Sequence, residues 1–434
     1  MKPRGRFIFV VTHLFPYPPS DGTELRIFKL LRGLKNEGYR VVLVLCADPG
    51  DKLRLIELKQ FVDAVEWVQP AWRTRLGRRL PRLRRLIWTR LEPLIRRVWI
   101  PRDIPEPGSL FNVIPSTVGD ELKKKAVAPP QLPVLVARLA SKYNPACVIA
   151  EYIFLTNCFA LLKPDVLKIV DTIDVFSLRG EQVIGLGIED DPWNCTAEEE
   201  RAYLLRADAI IAIQNREASL LRELVPEREV FTVGLDFEVD DATASENCES
   251  DTITLVASDC PLNIHGLNAF LAHCWPLIKG DHPAARLHVV GSIGTSVKVD
   301  DAAISYTLRS ENLREVYQQS RVVINPTIGG TGIKAKSAEA LSHGKPLVAW
   351  PLGVDGLDYR GQAPYVICES WPDFAAAVVR ILQSETEARA LSARALAYAK
   401  EKFQPAQVYR PFSAYLGESN RIEAPSRRLS ISTR

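Results

Sequence analysis

Histidine is scarce in this chain, six in 434 residues, which argues against chemistry that needs several acid and base groups around one substrate. Net charge is scarce too. A formal +3 over this length carries no electrostatic footprint for nucleic acid. The eight cysteines, Cys46, Cys147, Cys158, Cys195, Cys248, Cys260, Cys274 and Cys368, are scattered without a Cys-x-x-Cys spacing. That usage excludes a disulfide frame or a zinc site and fits reduced thiols in a cytoplasmic protein. No apolar run approaches the roughly 20 residues of a membrane span, so any membrane contact is expected to be peripheral. The start, MKPRGRFIFVVTHLFPYPP, imitates a secretory signal. Its apolar run is short, however, His13 and prolines follow at once, and no small-residue cleavage site appears, so it reads as a first β-strand. Internal repeats and long low-complexity tracts are also lacking.

What is present is a 47% hydrophobic chain long enough for two cores. Strand-like runs at Phe7 to Thr12, Val41 to Cys46, Cys147 to Ala150, Ile169 to Asp171, Ala209 to Ile213 and Val230 to Val233 alternate with helical patterns such as Glu24 to Gly38. A second series runs through Ile253 to Ser258, Arg286 to Gly291, Ala303 to Tyr306, Val322 to Asn325, Pro346 to Trp350 and Ala363 to Cys368. Such alternation predicts an α/β protein with parallel sheets covered on both faces. The acidic, non-periodic stretch from Asp236 to Asp251 is the expected linker. The domains are accordingly expected at 1–235, with an Arg-, Leu- and Pro-rich insertion at about 71–130, and at 253–405, joined by 236–252 and followed by 406–434. The tail after about Gly417 lacks core-forming periodicity and is expected to be mobile.

Doubly wound sheets bind ligands beyond the carboxyl ends of their strands. The distinctive loops lie at such ends: His13 to Thr23, Asp171-Thr172-Ile173-Asp174, Ser258 to Gly266, and Gly329 to Leu341, which reads GGTGIKAKSAEAL. The last of these satisfies neither the Walker pattern nor G-x-G-x-x-G. A tight turn with two solvated lysines is the plain reading. Yet glycines at the mouth of a helix, with Lys334 and Lys336 beside its unpaired N–H groups, suit a pyrophosphate. Glu339, further along the helix, could accept from ribose hydroxyls. Among single residues, His13 is as a rule a satisfied structural histidine, Asp171 and Asp174 suit a cap or turn as well as a substrate, and Glu151 reads more simply as a solvated carboxylate than as an acceptor contact. His343-Gly344-Lys345-Pro346 reads as a helix stop, and Asp355-Gly356-Leu357 as a turn or a nucleotide neighbour.

At these residues the sequence resembles the retaining family 4 glycosyltransferases of the GT-B fold, particularly bacterial polysaccharide-assembly members. FPYPPSDGTELRIFKLLRGLKNEGYRVVLV resembles the first glycine loop and helix, VIAEYIFLTNCFALLKPDVLKIVDTIDV the acceptor-side strands, and EEERAYLLRADAIIAIQNREASLL the segment before the hinge. ASDCPLNIHGLNAFLAHCWPLIKGDHPAARLHVVGS and INPTIGGTGIKAKSAEALSHGKPLVAWPLGVDGL resemble the donor domain. The resemblance implies two Rossmann-like domains facing across a cleft. It further implies retaining, metal-independent transfer of a sugar from a nucleotide diphosphate donor, with no cofactor, to a glycan or lipid-linked acceptor in cell-surface polysaccharide synthesis. It makes Lys334, Lys336 and Asp174 the candidate catalytic residues. Gly22, Gly329, Gly330, Thr331, Gly332 and Glu339 are then donor-binding, while His13, Glu151 and Asp171 are acceptor-side candidates.

The chain departs from the family in three places. Thr331 stands where the first of two glutamates is common, and Ile173 where a histidine often precedes the aspartate. Ser258 and Asn263 mark the region of the usual basic residues, which shifts the phosphate load to Lys334 and Lys336. A non-catalytic GT-B protein binding a nucleotide or glycan is therefore the alternative, with a different GT-B enzyme such as a nucleotide-sugar epimerase behind it. Between Arg73 and Arg102 stand eleven arginines and a single acid, Glu92, interleaved with leucines and Trp88 and Trp99. The segment suits an anionic membrane surface, at about 1 kcal/mol per basic residue, and suits equally a solvated basic face. The expected location is cytoplasmic, at the inner face of the cell membrane if that contact forms.

Overall fold

The structure, a computed structural model, describes residues 6–47, 49–68, 128–185, 195–239, 250–310 and 312–422. Most of the Arg-rich insertion, the middle of the expected linker and the end of the tail lie outside the described residues. Strands β1 (Phe7–Thr12), β2 (Arg40–Leu45), β3 (Ala64–Trp67), β4 (Cys147–Glu151), β5 (Leu167–Asp171), β6 (Ala209–Ala212) and β7 (Glu229–Thr232) form one sheet in the order β3-β2-β1-β4-β5-β6-β7. A second sheet holds β8 (Thr252–Val256), β9 (Arg286–Val290), β10 (Ile304–Thr307), β11 (Val322–Asn325), β12 (Leu347–Ala349) and β13 (Val366–Ile367), ordered β10-β9-β8-β11-β12-β13. Neighbouring strands run parallel. Runs such as IFVV, VVLVL and TITLV are buried on both faces, as a parallel sheet covered by helices requires. Strand β3 is an addition to the sequence reading. Its four residues, AVEW, are too short for periodicity to single out.

The first sheet carries α1 (Gly22–Asn36), α2 (Lys52–Leu58), α3 (Leu132–Tyr143), α4 (Phe176–Gly185), α5 (Ala197–Leu204) and α6 (Asn215–Leu224). The second carries α7 (Pro261–His273), α8 (Trp275–Asp281), α9 (Leu313–Gln318), α10 (Ala335–Ser342), α11 (Trp371–Gln383) and α12 (Glu385–Lys402). Strand order reverses between β1 and β4 in one sheet and between β8 and β11 in the other, which puts a ligand crevice at each reversal. The loops that enter α1 and α10 open there.

After α12 the chain returns to the first domain. Helices α13 (Pro405–Val408) and α14 (Arg410–Ile422) bring Val408, Tyr409, Phe412 and Leu416 into the first core, so the segment read as a mobile tail is helical as far as Ile422. The expected linker is pinned at its start. Phe237 is buried against Phe403, and Asp236 pairs with Arg32 at 2.9 Å.

Tyr409 explains a glycine inside α1. A Cβ added at Gly33 would lie 2.1 Å from the Tyr409 ring, whose hydroxyl sits 2.7 Å from the Lys29 carbonyl oxygen and 2.9 Å from Asp236 Oδ1. The ring cannot retreat without leaving those partners. Gly33→Ala is therefore expected to destabilise the fold by about 1–3 kcal/mol despite alanine's better helix propensity, read as a lower urea midpoint at unchanged slope.

Candidate active site

The carboxyl ends of the two sheets meet, and the helix starts of α1 and α10 come together there. A Cβ at Gly22 would lie 3.9 Å from the Ala335 Cβ. Helix α1 is well begun, since Asp21 accepts from the Glu24 N–H at 2.8 Å. Helix α10 is not. Its N-cap is Lys334, which supplies no side-chain acceptor, and its first turn holds no acid. Lys336 stands in that same first turn. Two cations at the positive end of a helix are unfavourable unless an anion joins them.

The two lysines divide the work. Lys334 donates to the carbonyl oxygens of Gly330, Thr331 and Gly332 at 3.1, 2.7 and 3.2 Å, so its three N–H groups hold the turn it follows. Burial lowers its pKa against the pull of Asp174 and Glu217. Lys336 donates to Asn263 Oδ1 at 2.6 Å and Thr327 Oγ1 at 2.8 Å, which accounts for two of the three N–H groups of its ammonium. Burial brings its pKa down to about 8. Asn263 thus takes part in the site by orienting Lys336, and Thr327 joins it at the end of β11.

Gly329 and Gly330 are buried, and Gly330 and Gly332 adopt φ of +96° and +74°. Glycine is needed at 332 twice over, because a Cβ there would also lie 2.9 Å from Asp174 Oδ1. Asp174 comes from the loop after β5. It accepts from the Thr331 hydroxyl at 2.8 Å and from Arg179 at 3.0 Å. The preceding Ile173, a β-branched residue, is held at φ +62°, a costly conformation that aims this loop at the glycine turn. The N–H of Gly332 donates to Glu217 of α6. The carboxyl of Glu339 accepts from the Tyr317 hydroxyl at 3.2 Å, and burial raises its pKa.

Of the three acceptor-side candidates, Glu151 and Asp171 need correction. Glu151 and Asp171 lie side by side at the ends of β4 and β5, both fully buried, so neither offers an atom to a substrate and Glu151 is not solvated. Asp171 pairs with Arg26 of α1 at 2.8 Å with neither side chain exposed, and Arg26 also donates to the Gly234 carbonyl. Two carboxyls share this one guanidinium. Burial, then the neighbouring Asp171, raises the Glu151 pKa well above the usual range, and its oxygens have no hydrogen-bond partner. Protonation of Glu151 removes the second negative charge beside the one guanidinium. His13 packs its ring edge-on to Tyr152 at 5.4 Å, and burial takes its pKa down to about 4, so it stays neutral at pH 7.

Arg26, Arg179 and Glu217 escaped the sequence reading. Arg26 had a signal, since it shares the inward face of α1 with Leu30 and Leu34, where a charge demands a partner. Arg179 and Glu217 had none, being ordinary charges on ordinary helices. Glu151→Gln is expected to leave stability at pH 7 within about 1 kcal/mol, because the amide mimics the protonated carboxyl. Arg26→Met strands Asp171 and is expected to cost about 3–5 kcal/mol, measured by urea unfolding.

Residues 250–384 match the family described as glycosyl transferases group 1. A curated relative, an uncharacterized 44.6 kDa protein in the cps region of Klebsiella pneumoniae, is 21% identical over 160 residues, or 34% of this chain. The match spans 41% of that relative. Sucrose-phosphate synthase from Thermosynechococcus elongatus superposes with a TM-score of 0.64 at 15% identity, covering 96% of this chain and 98% of that one. A mutant TarM of S. aureus, in complex with Fondaparinux, alpha-GlcNAc-glycerol and UDP, gives 0.65 at 11% identity, covering 95% and 99%. The pneumococcal O-GlcNAc transferase GtfA, in complex with UDP and GlcNAc, gives 0.62 at 12%, covering 96% and 99%. The chain has the two-domain GT-B fold of these proteins, and the match to the group 1 glycosyl transferase model falls on its second sheet and the helices around it.

Proposed function

We propose that the protein is a retaining, metal-independent glycosyltransferase that moves a sugar from a nucleotide diphosphate donor to a glycan or lipid-linked acceptor in cell-surface polysaccharide assembly. One observation carries this reading. The start of α10 gathers Lys334 and Lys336 without an acid or a side-chain cap, opposite the start of α1 at Gly22. A diphosphate there accepts from the first-turn N–H groups of α10 and from the remaining N–H of Lys336. As the bond to the anomeric carbon breaks, charge grows on the leaving phosphate, where these fixed dipoles and the ammonium stabilise it. The leaving phosphate takes the acceptor proton, and capture of the sugar on the same face gives retention. Lys334 acts through its charge and through the turn it holds. Asp174 meets that turn from the first domain, and Glu339 lies one helical turn beyond Ala335 for the ribose.

UDP in the TarM and GtfA complexes makes a uridine nucleotide the first donor to test, and the cps-region relative supports a role in polysaccharide synthesis. Among the described residues no helix is long and apolar enough to cross a membrane. Peripheral attachment at the inner membrane face through Arg73 to Arg102, a segment outside the described residues, completes the proposal for a lipid-linked acceptor. The second reading, a non-catalytic nucleotide- or glycan-binding partner, is favoured by Thr331, whose hydroxyl is already engaged by Asp174. Donor turnover separates the two.

Titration calorimetry with UDP, GDP and ADP tests the site. One nucleotide is expected to bind in the micromolar range and to bind at least tenfold more weakly to Lys336→Met, about 1.4 kcal/mol. Its affinity should also fall as pH rises above about 8. There Lys336 loses its proton in the free protein, while the bound diphosphate keeps that proton on. In Lys336→Met this pH dependence should flatten. A wild type that binds none of the three nucleotides would remove the basis of the proposal.

A further inference from the structure

The glycine turn of the second domain is held by side chains of the first. Glu217 stands in the first turn of α6, where an acid ordinarily serves its own helix. Here its carboxyl reaches across the domains and accepts from the Gly332 N–H, with only 1% of the residue exposed. The neighbours of Glu217 on α6 grip a second turn of the same domain. Gln214 and Arg216 each donate to Asp355 Oδ2 at 3.2 Å, and Gln214 packs so closely on Gly356 that a Cβ there would lie 2.5 Å from its Oε1. The two gripped turns follow β11 and β12, adjacent strands of the second sheet. The first turn of α6 is therefore a clamp, and its deepest contact is on the turn that leads into α10.

We infer that Glu217 is a positioning residue, which holds the 329–332 turn through the Gly332 N–H and so makes the diphosphate site of the second domain depend on closure against the first. The inference rests on the diphosphate reading of the α10 start. The contact adds geometry that the second domain lacks alone. Lys334 curls the turn from within through three carbonyl oxygens, and a turn with two left-handed glycines has other conformations open to it. Removing Glu217 leaves the Gly332 N–H buried without an acceptor in the closed arrangement and frees the turn in the open one. Nor does the clamp compete with the ligand. The diphosphate takes the N–H groups of the α10 first turn, which lie past Gly332. The charge around Glu217 is compatible with this role, because burial, then Asp174, raises its pKa to about 8 against the Gly332 N–H, Lys334 and Gln214. Near pH 7 it accepts from Gly332 as a largely neutral group beside Asp174.

Hydrogen–deuterium exchange on the full chain without nucleotide tests the clamp directly. In Glu217→Ala the peptide covering 328–334 is expected to exchange at least tenfold faster than in wild type, while the β8 peptide, 252–256, is unchanged. Glu217→Gln keeps an oxygen acceptor and should retain wild-type protection of 328–334. Nucleotide titration should follow the same order, with affinity lost at least tenfold in Glu217→Ala and kept within threefold in Glu217→Gln. Equal exchange of 328–334 in wild type and Glu217→Ala overturns the inference. So does equal loss in both variants, or faster exchange of β8 as well, which would mark general destabilisation. If wild type binds none of UDP, GDP and ADP, the diphosphate reading fails, and the exchange result still decides whether Glu217 holds the turn.

Discussion

The buried ion pair between Arg26 and Asp171 sets the position of α1, and through it one wall of the cleft. Its members come from a helix and a strand end far apart in sequence, and neither side chain is exposed. An isolated charge in that interior would cost several kcal/mol, so the helix can dock in only one register. Arg26 spends a further donor on the Gly234 carbonyl, where the chain leaves the first domain. One turn later on α1, the Lys29 carbonyl meets Tyr409, which returns from beyond the second domain. The start of α1, the exit to the second domain and the returning C-terminal segment are thus fixed by one polar network.

The second wall is arranged on a different principle. The glycine turn before α10 is bound on its inner side by three ionisable side chains, two of them from the first domain. Lys334 contracts the turn, Asp174 takes the Thr331 hydroxyl, and Glu217 takes the Gly332 N–H. Lys336, propped by Asn263 and Thr327, adds a cation where the helix dipole is already positive.

The departures from the family pattern have local consequences that the geometry makes concrete. Thr331 supplies a hydroxyl that Asp174 orients, where a glutamate would bring a third carboxyl group beside Asp174 and Glu217 in a desolvated pocket. Asn263 does not bind an anion by charge. It places Lys336 instead, accepting from its ammonium.

Much of this protein was determined by its sequence alone. Apolar runs such as IFVV and VVLVL, interleaved with amphipathic helices, require parallel sheets covered on both faces, and the glycines of GGTGIKAK mark a tight turn at a helix start, because both follow from local periodicity and backbone chemistry. The tertiary structure decided which carboxylates face the cleft. Glu151 and Asp171 stand at strand ends where a sequence suggests access to substrate, yet the docking of α1 buries them around Arg26, and burial is a property of the neighbours and not of the residue. Glu217, 115 positions from Gly332, meets it only because the two sheets face each other. No spacing in the chain encodes that distance, since the contact is made by the packing of one domain on the other.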